Sequence, residues 1–303
     1  MEFYSPKFSS EAFDILDKNG KDLKIVAGMT HLLRCYPNFP QELSMEYKGF
    51  LHIGELQALA DCKEENNKYV IGSTATISQL AADSYLARYA TAVIEAARIT
   101  STPQIRHRRT VGGELAWGSY HSPLICALLA MEAKLRIRFC ARDAQQPGHE
   151  DTLALNEFYS GERTRESARS AIVTRKSKIG SQDLILKVVL PAPLPGGFSF
   201  FKALIPKIHT ENSGIVVAVS GTAQNGTILS ARMVASGSWM SQMEEVLPLD
   251  GTRMSDTYIY ERLYTFCERY SFDNVRRSGP PAAQMGQIVF GLLKEGFSGL
   301  LGR

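Results

Sequence analysis

The chain has 303 residues, 44% hydrophobic and 21% charged, with a formal net charge of +3 spread over interspersed lysine, arginine, aspartate and glutamate. That length suggests about two domains with substantial cores, and the balanced charge argues against a nucleic-acid binder. No apolar run approaches the roughly 20 residues that cross a bilayer. The N-terminal MEFYSPKFSSEAF lacks the basic region and long apolar core of a signal peptide, so a cytoplasmic protein with no membrane contact is expected.

Taken in chain order, the first 55 residues read as a small α/β unit. SSEAFDILDKNG predicts a helix capped by serine and stopped at Asn19-Gly20. LKIVAG predicts a buried strand, THLLRCY a helical turn, and MEYKGFLHI a strand with a turn at Gly49. From residue 56 the pattern changes. YVIGSTATISQLAAD reads as strand, glycine turn and a helix starting at Thr76 or Ser78, and LARYATAVIEAARIT has helical spacing throughout. SPLICALLAMEA predicts a helix from Ser122-Pro123, where proline suits the first position. LRIRFCAR and DLILKVVLPAPLP read as strands, and the prolines before Gly196-Gly197 make the best linker. Beyond it, FSFFKALI, GIVVAVSGTA and ILSARMVASGS predict an antiparallel meander with turns at Asn212–Gly214 and Asn225-Gly226. Two helices follow, YIYERLYTFCERY and, after Gly279-Pro280-Pro281, AAQMGQIVFGLLKEGF. The expected domains are therefore 1–195, with subdomains of about 1–55 and 56–195, and 196–303.

Five scattered cysteines, with no CxxC pair, suit a reducing compartment and no disulfide framework, zinc site or iron–sulfur cluster within this chain. His31 and His121 sit in candidate turns, but two histidines without a third ligand do not make a metal site. No nucleophile–base constellation stands out, so no catalytic side chain is assigned. Arg106, Arg108 and Arg109 read as a solvated loop, and Met233, Met240, Met243 and Met254 as core or interface filling.

Three places combine a glycine turn with flanking regular structure: VAGMTHLL (26–33), VIGSTATIS (70–78) and TVGGELA (110–116). Glycine lets backbone N–H groups converge on an anion. One such turn alone reads as plain structure, whereas three within 120 residues point to a phosphate-bearing cofactor. None matches GxGxxG or GxxxxGK[ST], which disfavours a nicotinamide-binding doubly wound fold and a P-loop hydrolase.

The order of these motifs resembles the FAD-binding subunit of the molybdenum hydroxylases, the family of xanthine dehydrogenase and aerobic carbon monoxide dehydrogenase. AGMTHL (27–32) is similar to that family's AGGTDL loop, IGSTATI (71–77) to its IGA-T-T element, and QIRHRRTVGGE (104–114) to its Q-[VI]-R-N-x-[AG]-T-[IL]-G-G-N segment. PLICALLAMEAKLRI, EFYSGERT, FFKALIPK and FDNVRRSGPPAAQMGQIVFGLLKEGF follow in the family's order, so the likeness covers nearly the whole chain.

The resemblance implies an α+β fold: a p-cresol methylhydroxylase-type FAD-binding domain of two α/β subdomains, then a C-terminal antiparallel sheet with a small helical bundle. It implies noncovalent FAD, with the first and third turns cradling the pyrophosphate. Ala27, Gly28, Met29, Thr30, His31, Leu32, Thr110, Gly112, Gly113, Glu114 and Tyr120 fall on cofactor positions, and Ile185 and Lys202 on the isoalloxazine side. It also implies an electron relay from a molybdopterin-binding large subunit, through an iron–sulfur subunit, to this flavin and on to NAD+ or another acceptor. A stand-alone flavin oxidase is the alternative class, for which 196–303 is short.

Some positions depart from the family pattern. Met29 replaces a glycine, His31 an acidic residue and Glu114 an asparagine, while Tyr120 (or His121) falls where an aspartate is usual. A side chain at Met29 costs about 1 kcal/mol if φ is positive there. An unpaired carboxylate about 4 Å from a pyrophosphate costs several kcal/mol at an effective dielectric near 20. Two readings follow: FAD binding with altered contacts, His31 and the arginines offsetting Glu114, or a degenerate member that persists as a structural scaffold.

Overall fold

The computed structural model describes all residues except 1, 37, 39–40, 42–45, 142–146, 166–172, 205–213, 238–239, 248–250, 254–256, 270–281 and 302–303. The predicted Asn212 turn, the Gly279-Pro280-Pro281 break, Met254 and the FDNVRRSGPP stretch therefore lie wholly or partly outside the described residues. The chain divides into two compact units. The first is Met1–Leu80, Ser101–Ser119 and Glu132–Ala192; the second is Ala81–Thr100, Tyr120–Met131 and Pro193–Arg303. The second unit thus includes two stretches that precede the linker at 193–197.

The first unit holds two sheets. β1 (Glu2–Tyr4), β2 (Leu23–Val26) and β3 (Gly49–His52) form a parallel sheet in the order β1-β3-β2. The helix Ser9–Asn19 presents Ala12 and Leu16 to Leu23 and Leu51 in one apolar cluster, as its i, i+4 spacing requires. It ends where Gly20 takes a positive φ of 54°. Its N-cap is Phe8 and carries no side-chain bond, so the expected serine cap is not formed. Gly49 lies within β3 rather than at a turn; a side chain there would stand 2.6 Å from the Glu2 carbonyl oxygen, across the β1–β3 ladder.

The second sheet is antiparallel. It contains β4 (Cys62–Glu65), β5 (Lys68–Gly72), β6 (Lys134–Phe139) and β7 (His149–Ala154). A separate hairpin of β8 (Tyr159–Arg165) and β9 (Val173–Ser177) leads into β10 (Leu184–Leu190), which runs between β5 and β6. Asn66 and Asn67, at φ 52° and 60°, make the tight turn joining β4 to β5, a conformation asparagine tolerates better than most residues.

In the second unit the predicted meander is present. β11 (Gly197–Leu204), β12 (Ile215–Gln224), β13 (Thr227–Gly237) and β14 (Met240–Leu247) pair in sequence order, with β15 (Thr252–Arg253) beside β13. Asn225-Gly226 supplies the positive φ values of the β12–β13 turn. One face of the sheet, with Ile215, Val217 and Val219, packs on the helices Thr257–Arg269 and Ala282–Leu301 through Leu263, Val289 and Phe297. The other face meets the helix Pro123–Ala130, where Cys126 Sγ lies 3.4 Å from the Val234 carbonyl oxygen and Ser220 Oγ donates to the Ala130 carbonyl. Ser122 caps that helix by accepting from the Ile125 amide, as predicted. The single helix expected over LARYATAVIEAARIT is instead two, Leu86–Tyr89 and Thr91–Ile99. Ala90, at φ −119° and ψ 49°, breaks the hydrogen-bond ladder between them.

All five cysteines are free. Among the described residues, no helix is long and apolar enough to cross a membrane and no group of three or more His, Cys, Asp or Glu is placed to hold a metal ion.

Candidate functional site: a cavity where three glycine segments meet

The three glycine segments converge within the first unit. The second leaves β5 at Gly72, and the Ser73 amide donates to the Leu186 carbonyl on β10. Thr76 then starts the helix Ile77–Ala81 through reciprocal bonds with Gln79, the capping box that exchanges orphan donors between both ends of a first turn. The third segment docks directly on the second. Thr76 bridges Thr110, the Ile77 amide donates to the Arg109 carbonyl at 2.9 Å, and the Val111 and Gly112 amides donate to the Ala75 and Ser73 carbonyls at 2.9 and 2.7 Å.

The third segment is not a loop ahead of a helix. Gly112 and Gly113 are helical residues of Val111–Trp117, with Thr110 as the cap accepting from the Gly113 amide. Glycine is needed at 112 because a Cβ would lie 2.7 Å from Ser73 Cβ. The amides of 111–114 are all bonded within the protein, so this segment offers a smooth surface rather than free donors.

The first loop completes the arrangement. Gly28 lies against the Arg108 backbone so closely that any Cβ would overlap its carbonyl oxygen. Met29 adopts the left-handed conformation, φ 58° and ψ 4°. This is the positive φ that makes methionine costly there, about 1 kcal/mol or more. Packing of its side chain against the Val26–Phe50 cluster opposes that cost. Among the described residues, the amides of Gly28 to Leu32 have no protein acceptor.

A cavity of about 340 Å³ lies over these segments. Ala27, Gly28, Met29, Thr30, His31, Leu32, Thr110, Gly112, Gly113 and Ile185 line it. Glu114 stands just outside the lining, against His31. Tyr120 and Lys202 belong to the second unit. Tyr120 is buried and its carbonyl accepts from Ser236 Oγ, while Lys202 Nζ lies 2.9 Å from Glu295 Oε1. Trp117 and Ser73 also line the cavity and were not among the expected site residues. Trp117 follows Gly113 by one helical turn and therefore shares its face, which is the sequence signal that finds it. Ser177, Ile179, Gly180 and Ser181, approaching from β9, carry no such signal.

The charge at Glu114 is compensated within the protein. Only 2% exposed, its carboxylate lies 2.9 Å from His31 Nε2 and 3.5 Å from the Arg109 guanidinium, itself 6% exposed. The arginine cluster is thus not one solvated loop: Arg109 is buried, and Arg106 donates to the Ser101 carbonyl. Burial lowers the His31 pKa below its ordinary 6.5, outweighing the raising effect of Glu114. The His31–Glu114 contact is therefore a hydrogen bond from a neutral imidazole, Nε2–H donating, rather than a full ion pair. The His31 ring stacks on Trp117, centroids 4.7 Å apart and planes 7° from parallel. Among the described residues, His31 Nδ1, Trp117 Nε1 and Ser73 Oγ, all on residues that line the cavity, are buried without a hydrogen-bond partner. Each such group costs about 1–3 kcal/mol when left unmade, so three around one cavity mark a place suited to a polar ligand.

The profile of the FAD binding domain in molybdopterin dehydrogenase matches residues 1–193. The chain belongs to that family. Among curated relatives, it is 29% identical over 133 residues to the carbon monoxide dehydrogenase medium chain of Hydrogenophaga pseudoflava, covering 44% of this chain and 45% of that protein. It is 24% identical over 227 residues to the nicotinate dehydrogenase FAD-subunit of Eubacterium barkeri, covering 72% and 69%. The solved carbon monoxide dehydrogenase of Hydrogenophaga pseudoflava lacking the Mo-pyranopterin moiety has the same α+β fold, with a TM-score of 0.77 at 19% identity over 98% of this chain and 97% of that one. The free amides, the side-chain-free wall at Gly112 and the unpartnered polar atoms fit the FAD of this family.

Proposed function

We propose that this chain holds FAD noncovalently in the cavity and is the flavin-carrying subunit of a molybdenum hydroxylase-type oxidoreductase, beside an iron–sulfur subunit and a large molybdopterin-binding subunit. The free amides of Gly28 to Leu32 carry the reading: a row of donors without protein acceptors suits a diphosphate. Gly112 and Gly113 keep the facing wall bare, and Ile185 supplies an apolar surface for a ring. Through the resemblance, Tyr120 and Lys202 are further cofactor positions. Bound FAD supplies the redox chemistry, and the chain's task is to bind, orient and exclude water. The acceptor at the end of this relay is NAD+ or another oxidant.

The scaffold reading draws on Met29 and Glu114. Met29 keeps a glycine-like backbone, and Glu114 is paired with Arg109 and His31, which favours retained flavin binding over the scaffold reading. The test is purification from cells supplied with riboflavin. Visible flavin absorbance, together with co-purifying iron–sulfur and molybdopterin subunits, is the expected outcome. A folded, colourless protein that ignores added FAD sinks this reading in favour of the scaffold.

A further inference from the structure

We propose that His31 takes up a proton when a diphosphate group binds, so that its imidazolium, backed by Glu114, becomes the counter-charge of the bound anion. The inference rests on the assignment of the cavity to FAD and extends it to how this chain, with histidine and glutamate at altered positions, balances the charge.

The argument starts from the ring's two nitrogens. Nε2 is committed to Glu114 at 2.9 Å, and Nδ1 is buried with no partner among the described residues. A proton arriving on Nδ1 therefore leaves the Glu114 bond intact and creates a new donor. That donor needs an acceptor which no described residue supplies, and phosphate oxygens are acceptors.

Charge balance points the same way. Around His31 stand Glu114, with Arg109 at 3.5 Å from its carboxylate, and Arg34 on its own helix; Lys24 and Asp183 line the same cavity. Counted formally, the carboxylates Glu114 and Asp183 offset two of the three cations Arg109, Lys24 and Arg34, and the neutral His31 adds nothing, which leaves a single positive charge. A bound diphosphate diester brings two negative charges into this nearly balanced site. Nearby negative charge favours the charged form of an imidazole. In the ligand-free chain burial, with help from Arg109 and Arg34, holds His31 neutral; the anion reverses the balance at the one group poised to change.

The sign follows. Between the His31 pKa of the free protein, below 6.5, and its raised value in the complex, each FAD bound carries in a proton. Affinity weakens up to about tenfold per unit rise in pH across that window and is flat outside it.

The experiment is calorimetry of FAD binding to the wild-type protein near neutral pH in two buffers of different ionisation enthalpy. Uptake approaching one proton per FAD is expected, and His31→Gln removes it. FAD that binds with no buffer dependence overturns this inference alone; FAD that fails to bind at any pH overturns it together with the flavin assignment. A second readout does not need the His31 variant to fold. In Trp239→Phe, Trp117 is the remaining tryptophan, and a protonated imidazole quenches an indole stacked on it. ADP-ribose, which carries the diphosphate diester but no flavin, is expected to quench Trp117 emission at neutral pH. Saturation with ADP-ribose and unchanged emission refutes the proton uptake.

Discussion

Glu114 and His31 are 83 residues apart in sequence, yet Glu114 Oε2 lies 2.9 Å from His31 Nε2. The bond ties the third glycine segment to the first loop by side chains, as the contact of Gly28 with Arg108 ties them by backbone. A carboxylate that looks hostile to a bound phosphate is engaged in joining the two segments.

Removing this carboxylate takes from the buried Arg109 the negative charge beside it. Glu114→Ala is expected to lower unfolding free energy by about 3 kcal/mol, within the range for breaking a buried charge pair. Arg109→Met should cost a similar amount, and the double variant less than the sum of the two because they share one interaction. Urea unfolding of the four proteins measures this. Additive losses would show that the two side chains act independently.

Gly28 and Gly113 should respond differently to the same substitution. A methyl at 28 overlaps the Arg108 carbonyl oxygen, whereas at 113 the nearest atom is Thr110 Oγ1 at 2.9 Å, the end of a side chain. Gly28→Ala is expected to cost about 3 kcal/mol or more and to abolish FAD binding. Gly113→Ala is expected to stay folded, helped by alanine's better helix propensity of about 1 kcal/mol and opposed by disturbance of the cap. Thermal unfolding with FAD titration separates them, and equal effects would count against the close backbone approach.

Met29 combines strain with packing, and two variants divide them. Met29→Ala loses the contact with Val26 and Phe50 but keeps the left-handed backbone. Met29→Gly loses the same contact and releases the strain, so it should be more stable than the alanine variant by about 1 kcal/mol. The reverse order would mean that no strain is stored at this position.

His31 also gives the free protein a pH dependence. Its folded pKa lies below the unfolded value of 6.5, chiefly through burial, so the unfolded chain binds more protons in between. Its contribution to stability is full above 6.5 and is lost as pH falls toward the lowered folded value. His31→Gln should flatten the stability profile in that interval while leaving carboxylate titration at lower pH. Chemical denaturation at a series of pH values tests this, and an unchanged slope in the variant rules it out.

How much could be read in advance depended on the range of the interactions involved. The glycine segments, the meander, and the helix starting at Pro123 were legible because turn chemistry, period-two alternation and proline at the first turn are local signals. The break at Ala90 was not, since alanine is the best helix former and only the surrounding packing stops the helix there. The arginines at 106–109 read as solvated because nothing nearby in sequence shows that Arg109 is buried beside Glu114. The place of Trp117 in the cavity follows once Gly112 and Gly113 are known to be helical, and the sequence read them as a turn. The assignment of 81–100 and 120–131 to the second unit rests wholly on long-range contacts, such as Thr91 Oγ1 with Ser199 Oγ and Cys126 with Val234.

That last arrangement has a topological consequence. The two compact units are made of six alternating segments, so the backbone passes from one to the other five times. No single peptide-bond cleavage can release either unit as one continuous fragment. A fragment ending at the linker carries away the helices Thr91–Ile99 and Pro123–Ala130 and strips one face of the C-terminal sheet. The remaining piece would begin at the sheet and lack its covering. A ribosome that has made the first 192 residues has therefore finished every segment of the first unit, while two segments of the second still await the sheet they cover.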